Sequence, residues 1–312
     1  MGKKIFVILN GKAGKAGRKG EATAEEAIKE GFRKADPSTE VDFGYTKAVM
    51  HAAELAKDAA TSGNYYAVCA AGGDGTVNEV ANGMALTGVP MGVLPWGSGN
   101  VFSQEMRIDN NIDKACELVL NGNPREVDMG QVGERYYLWM LGIGIEAKIA
   151  SMVNPRLKAW LNKFGLGILA YVFAALRLIF DKSYSLMKIA FDDKEMTFST
   201  FNTIVGNATS FDGFLGIKSS YSISDGFLDV CILQRKSGIG ILKIVKEFMR
   251  GRKDYYRFID KFSAAHCRVK SLRIETVPDA WYHVDGEVMG MTPIEVRIVP
   301  KSLKLILPEY KN

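Results

Sequence analysis

The sequence predicts an α/β amino-terminal half with a parallel, doubly wound sheet, followed by an antiparallel β half. Three observations carry this. Up to Gly122, short apolar runs alternate with helices of three to four turns, the pattern left by strand–helix–strand crossovers. Glycine-rich loops fall directly after three of those runs. After Arg125 the texture changes to alternating segments separated by turns.

From Lys4, IFVILN reads as a strand, followed by a glycine-rich turn and the helix GEATAEEAIKEGFRKA, which Asp36-Pro37 closes. A strand near VDFGYT, a helix AVMHAAELAKDAATSG and a buried strand in YAVCAAGGDG come next. TVNEVANGMAL is then a helix, MGVLPWGSGN holds a strand, and NIDKACELVLNG is a helix stopped by Gly122 and Pro124. Beyond Arg125, strands are expected in REVDMGQVGERYYLWMLGIG, LMKIAFDDKEMTFSTFNTIVGN, FLDVCIL, RVKSLRIE and IEVRIVP. Two helices interrupt them, Asn154 to Phe180 and Ile239 to Phe262. The domain boundary is placed at residue 125, so that residues 1–125 form the α/β domain and 126–298 the β domain. Residues from about 299 to 312 are expected to pack back on the first domain.

With 312 residues and 47% hydrophobic composition, the chain can bury two cores, and its charge content excludes a disordered or fibrous class. Cys69, Cys116, Cys231 and Cys267 lie far apart, without a CxxC pair, which predicts a reducing, cytosolic compartment. The opening MGKKIFVILNGKAG runs from a basic tip into a glycine loop without a cleavage site, so it reads as a first strand. Phe6 stands where a myristoylation signal wants Ser or Thr. The long apolar stretch, Phe164 to Phe180, contains Arg177 and is shorter than the roughly 20 residues of a membrane span. Net charge is +5, with twelve Lys and Arg against three acids between Arg235 and Arg273. Such a tract suits anionic phosphates or lipid head groups.

The three loops carry the chemistry. In ILNGKAGKAGRKG, glycines recur every third residue between a strand and a helix, with Lys12, Lys15, Arg18 and Lys19 among them. Backbone N–H groups and a helix N-terminus there can hold phosphate. The spacing matches neither G-x-G-x-x-G nor G-x-x-x-x-G-K-[ST]. The second loop is more specific: CAAGGDGTVNEV sets Gly72, Gly73, Asp74, Gly75 and Thr76 after a strand, at the carboxyl edge where open α/β sheets bind ligands. The glycines let backbone approach a ligand, and the carboxylate can orient Mg²⁺ or its waters. A third loop, LPWGSGNVF, offers Gly97, Ser98, Gly99 and Asn100 to the same crevice.

These motifs, with SDGFLDV and VDGEVMGMTPIEVRIVP later in the chain, resemble the diacylglycerol kinase catalytic domain family. That family includes bacterial lipid kinases of the YegS/BmrU type and the eukaryotic sphingosine and ceramide kinases. The resemblance runs over nearly the whole chain. It implies a Rossmann-like nucleotide-binding domain, a carboxyl-terminal β-sandwich that takes up lipid, and ATP with Mg²⁺ in the cleft they share. It carries nucleotide contacts onto Asn10, Gly11, Lys12, Ala13 and Gly14, onto Thr46, onto Gly73, Asp74, Gly75, Thr76, Val77, Asn78 and Glu79, and onto Ser98. Two positions depart from the pattern. Asn10-Gly11 stands where many relatives have Asn-Pro. Gly97-Ser98-Gly99-Asn100-Val101 replaces Gly-Thr-x-Asn-Asp, so a water-bridged Mg²⁺ network would lean on Asp74 and Asp128. The Gly-Ser-Gly-Asn form also looks like the sphingosine and ceramide kinase version.

In YHVDGEVMG, an extended segment would put Asp285 and Glu287 on one side, with Gly286 permitting a turn. An acceptor alcohol needs a carboxylate within hydrogen-bond reach to take its proton. By resemblance that role falls to Glu287, with Asp285 as the near alternative. In SYSISDGFLDV the resemblance implies a second Mg²⁺ on Asp225 with Ser222 and Phe227, oxygen ligands that suit a hard cation.

His51, His266 and His283 show no zinc spacing and read as surface or packing residues. The basic, amphipathic IGILKIVKEFMRGRKDYYRFIDKF suggests peripheral contact with an anionic membrane at the inner face; no nucleic-acid module surrounds it. A homodimer is compatible with all of this. Two rival functions are an NAD kinase, which shares GGDGT but lacks the late DGE arrangement, and a non-catalytic lipid-binding protein that has kept the fold.

Overall fold

The computed structural model describes residues 2–10, 21–97, 99–153, 185–191, 194–207, 222–235 and 262–309. The helix expected over 154–180 and the loop residues 11–20 lie outside the described residues, as does the helix expected over 239–262 except for its last residue, Phe262, which opens a strand instead. The chain divides into two compact units. Unit 1 comprises Met1–Met129, Arg135–Leu138 and Val299–Asn312; unit 2 comprises Gly130–Glu134 and Trp139–Ile298.

Unit 1 runs β1 (Lys4–Leu9), α1 (Glu21–Ala35), β2 (Glu40–Tyr45), α2 (His51–Thr61), β3 (Ala67–Gly72), α3 (Asp74–Met84), β4 (Pro90–Pro95), α4 (Val101–Glu105) and α5 (Ile112–Asn121). There follow β5 (Asn123–Val132), which passes into unit 2, and β6 (Arg135–Tyr137). Unit 2 carries β7 (Met140–Gly144), α6 (Ile145–Met152), β8 (Ser185–Phe191), β9 (Lys194–Thr200), β10 (Asn202–Gly206), β11 (Leu228–Arg235), β12 (Phe262–Val269), β13 (Ser271–Val277), β14 (Trp281–Val284) and β15 (Glu287–Met291). Last comes β16 (Ile294–Leu307), whose final residues return to unit 1.

The sheet of unit 1 is parallel in the order β2-β1-β3-β4, with the end of β16 added beside β4. Every residue of β3 is buried, as expected of a strand covered on both faces. Val7, Leu9, Cys69 and Ala71 pack with Ile28 and Phe32 of α1 and with Cys116 and Val119 of α5, each large side chain contributing about 1.5–3 kcal/mol. Asn111 starts α5 by accepting the N–H groups of Asp113 and Lys114 at 2.9 and 3.2 Å, a side-chain cap.

In unit 2, the first half of β16 pairs antiparallel with β13, and β13 with β8 and β8 with β9. Burial alternates along it: Ile294, Val296 and Ile298 are inside, Glu295 and Arg297 outside. That two-residue period is the mark of a sheet with one wet face. A second, wholly antiparallel sheet runs β12-β11-β10-β7-β14-β15. The mixed α/β fold of the first half and the antiparallel fold of the second are thus as the sequence predicts. Two short helices are additions, α4 and α6. Helix α3 begins at Asp74 rather than Thr76, because Gly73 is extended (φ −91°, ψ −174°) and serves as its N-cap.

All four cysteines are free. Burial raises the Cys69 thiol far above its ordinary range and lifts Cys116 and Cys231 to about 12, so these thiols are inert packing groups. No described helix is long and apolar enough to cross a membrane.

Candidate active site

With strand order β2-β1-β3-β4, winding reverses between β1 and β3, and the crevice at their carboxyl ends is where such sheets bind ligands. Asn10 follows β1 there. Its N–H donates to the Ala71 carbonyl at 3.2 Å, and its side-chain amide donates to Thr76 Oγ1 at 3.1 Å. Thr46, following β2, donates its N–H to the Leu9 carbonyl at 3.1 Å. The first, second and third strand ends are therefore laced together by the predicted residues.

The second and third loops meet at two glycines. Trp96 N–H donates to the Gly72 carbonyl at 3.1 Å. A Cβ on Gly97 would stand 2.4 Å from Gly73 Cα and 2.6 Å from Asn100 Oδ1, so only glycine fits. Asn100 is buried in the left-handed conformation (φ 51°). Its Oδ1 accepts Gly97 N–H at 2.9 Å and its Nδ2 donates to the Gly97 carbonyl at 3.2 Å, closing the loop.

Asp74, half-buried in the first turn of α3, accepts the N–H of Phe102 at Oδ1, 2.9 Å away. It thereby caps α4 from another loop. Its second oxygen lies beside Gly99 and has no hydrogen-bond partner among the described residues. A carboxylate held at one oxygen and open at the other fits Mg²⁺, which typically takes one or two protein carboxylates plus substrate phosphates. Among the described residues no group of three or more His, Cys, Asp or Glu gathers to hold a metal.

The rest of α3 is structural in its side chains. Val77 lies in the core. Asn78 and Asn82 donate to the Tyr136 carbonyl at 3.3 and 3.0 Å, and Tyr136 N–H donates to Asn82 Oδ1 at 2.8 Å. Glu79 Oε2 accepts Ala52 N–H at 3.3 Å, at the start of α2. Asp128, 2% exposed, accepts Lys301 N–H at 2.8 Å, pinning a residue at φ 51°. Gly11, Lys12, Ala13, Gly14 and Ser98 lie outside the described residues.

In unit 2, Asp285 and Gly286 have φ of 46° and 89°, and Val284 pairs with Glu287. This is the positive-φ pair of a two-residue hairpin, for which Asp-Gly is a preferred sequence. The spacing predicts both acids on one side of an extended segment; the turn separates them instead. Asp285 folds against β7: its Oδ1 accepts from Trp139 N–H at 3.0 Å and Met140 N–H at 2.8 Å, and its own N–H donates to the Met140 carbonyl at 2.9 Å. Glu287 opens β15 and is exposed. His283, expected to be a surface or packing residue, is buried, with Gly286 N–H donating to its Nδ1 at 3.2 Å.

The Ser222–Phe227 turn already contains a cation. Asp225 accepts from Phe227 N–H at Oδ1 (3.1 Å), from Ser222 N–H at Oδ2 (3.3 Å) and from Arg268 Nη2 at Oδ2 (2.5 Å). Arg268 also approaches Asp229 at 3.6 Å and stacks on Phe227. As arranged, this turn does not fit a second Mg²⁺. Sequence reasoning missed Phe102 and Tyr136, and saw Arg268 only as one of the basic residues between Arg235 and Arg273. Their only signals lie in partners far along the chain.

The family model for the diacylglycerol kinase catalytic domain matches residues 4–132, and that for the YegS C-terminal NAD kinase beta sandwich-like domain matches residues 140–307. A diacylglycerol kinase of Bacillus subtilis is 28% identical over 269 residues, 85% of each chain. An uncharacterized protein of Synechocystis is 29% identical over 242 residues, 77% of this chain; the match spans only 54% of that longer relative. Two solved structures from Bacillus anthracis str. Sterne share the fold. One superposes with a TM-score of 0.74 at 24% identity over 98% of this chain and 95% of its own. The other, a diacylglycerol kinase, does so at 0.68 and 23% over 98% and 97%.

Proposed function

We propose, from the premise that this chain belongs to the diacylglycerol kinase family of lipid kinases, that it moves the γ-phosphate of ATP onto the hydroxyl of diacylglycerol. The observation that carries the donor half is the Asn10–Thr76 bond between the carboxyl ends of β1 and β3, with Asp74 in the same turn holding the loop after β4 through Phe102. Phosphoryl transfer asks a protein mainly to position groups and neutralise charge. The Asp74–Gly75–Thr76 turn offers the N-terminal N–H groups of α3 to phosphate. Asp74 Oδ2 would hold Mg²⁺, which when bound neutralises charge on the phosphates. Glu287, exposed and carried on a hairpin, takes the proton of the lipid hydroxyl as its oxygen bonds to phosphorus and the bond to ADP breaks. Asp285 has two N–H groups on one oxygen, which favours a holding role and leaves Glu287 as the base.

A sphingoid or ceramide acceptor is the second reading, favoured by the Gly97-Ser98-Gly99-Asn100 form of the third loop. Contact with an anionic membrane surface belongs to the same proposal and rests on the basic tract from Arg235 to Arg273. The test is purified protein with Mg²⁺ and γ-labelled ATP, offered diacylglycerol, monoacylglycerol, phosphatidylglycerol, sphingosine and ceramide in mixed micelles, with NAD as a soluble control. Labelled phosphatidic acid is expected. Label in no lipid, or in NAD alone, would overturn the reading.

A further inference from the structure

We infer that His283 is a positioning residue for the Asp-Gly hairpin: by accepting the Gly286 N–H it fixes the turn that sets where the Glu287 carboxylate stands. The kinetic arm of this inference rests on the role proposed for Glu287; the geometric arm does not.

His283 is 4% exposed, and a buried imidazole is costly unless its polar atoms are met. One hydrogen bond and one longer contact, beyond hydrogen-bond distance, face them. Gly286 N–H donates to Nδ1 at 3.2 Å, and Nε2 lies 3.8 Å from Glu146 Oε2. Neutral imidazole has one donor nitrogen and one acceptor. Since Nδ1 accepts, Nε2 carries the hydrogen, on the side of the carboxylate. Glu146, near the start of α6, thus favours the tautomer that the turn requires. If His283 only filled space, an apolar side chain would serve as well, without these polar requirements.

The ring lies directly on the backbone of β7. His283 pairs with Gly142 across the strands, and a Cβ on Gly142 would come within 2.3 Å of Nε2. The turn is therefore clamped at both central residues: Asp285 by its carboxylate on Trp139 and Met140, Gly286 by His283. Gly286 is the residue immediately before Glu287 and, as a glycine at φ 89°, has the widest backbone freedom once released. Loss of its clamp frees the residue that precedes Glu287.

Three variants separate the roles. His283→Asn keeps an acceptor at the Nδ1 position, His283→Leu removes both polar atoms, and His283→Gln keeps a polar end toward Glu146 without the Nδ1 acceptor. In wild type and His283→Asn the Gly286 amide should resist hydrogen exchange, measured by NMR; in the Leu and Gln variants it should exchange at least about 10-fold faster. In the lipid kinase assay, kcat should fall by about 10²-fold in the Leu and Gln variants, with KM for ATP unchanged, and His283→Asn should recover most of it. Equal exchange in all variants, or His283→Asn behaving as His283→Leu, would overturn the clamp. Unchanged kcat in both non-acceptor variants would overturn its part in placing Glu287. A wild type inactive on every lipid would refute the kinase reading, while the exchange series still decides the clamp.

Discussion

The Asp74 carboxylate accepts the backbone N–H of Phe102 at 2.9 Å, so the acid of the Gly-Gly-Asp-Gly loop also builds the loop facing it. Its functions as charge and as cap can be separated. Asp74→Asn keeps an oxygen for Phe102 and loses the charge; Asp74→Ala loses both. Both should cut lipid phosphorylation by at least about 10²-fold. Only Asp74→Ala should lose about 1 kcal/mol of stability, lowering the midpoint of thermal unfolding by about 2–4 °C. An active Asp74→Asn would remove this carboxylate from the reaction.

Glu79 makes the same kind of contact with α2, through Ala52 N–H. Its carboxylate is expected to stabilise that helix rather than touch nucleotide. Glu79→Ala should lower stability by about 0.5–1 kcal/mol, and Glu79→Gln by less, with KM for ATP shifted by less than about 3-fold in both. A tenfold rise in KM at unchanged thermal stability would restore the nucleotide contact that the family resemblance implies.

Asp285 and Glu287 should separate cleanly. Glu287 is exposed, so Glu287→Gln should leave unfolding unchanged and lower kcat by about 10²–10⁴-fold. Asp285→Ala strips the acceptor from two N–H groups and puts alanine at φ 46°, costing about 1–3 kcal/mol. Asp285→Asn retains an acceptor and tolerates the left-handed conformation, so it should keep most activity. An inactive but fully stable Asp285→Asn would make Asp285 the base.

What the sequence reveals and what it hides follow from range. The parallel half is legible because each strand and helix carries its own period, and the loops because glycine density is local. The partners of the site acids are not local. Asp285 reaches Trp139, Asp74 reaches Phe102 and Tyr136 meets Asn82 across 54 positions. Helix α4, five residues long, is too short to show a period. The Asp285–Gly286 turn is a sequence signal for a hairpin in its own right, and in that hairpin the two acids part.

Arg268 leads to the last prediction. Its guanidinium binds Asp225 at 2.5 Å, approaches Asp229 at 3.6 Å and lies 4.7 Å from the Phe227 ring centroid. A divalent cation at this turn would have to displace it and face the positive charge left nearby. Without nucleotide, neither Mg²⁺ nor EDTA should move the thermal unfolding of the wild type through this turn. Arg268→Ala should lose about 1 kcal/mol or more: the partly exposed Asp225 pair and the cation–π contact are worth little, but the buried Asp229 carboxylate loses the guanidinium near it. In return it leaves Asp225 and Asp229 without the guanidinium, so millimolar Mg²⁺ should now raise the midpoint, as binding to the folded state alone requires. Asp225→Asn in the same background should abolish that rise. If wild type instead gains stability from Mg²⁺ and loses the gain on Asp225→Asn alone, the turn is a metal site after all, and Arg268 a side chain that moves aside.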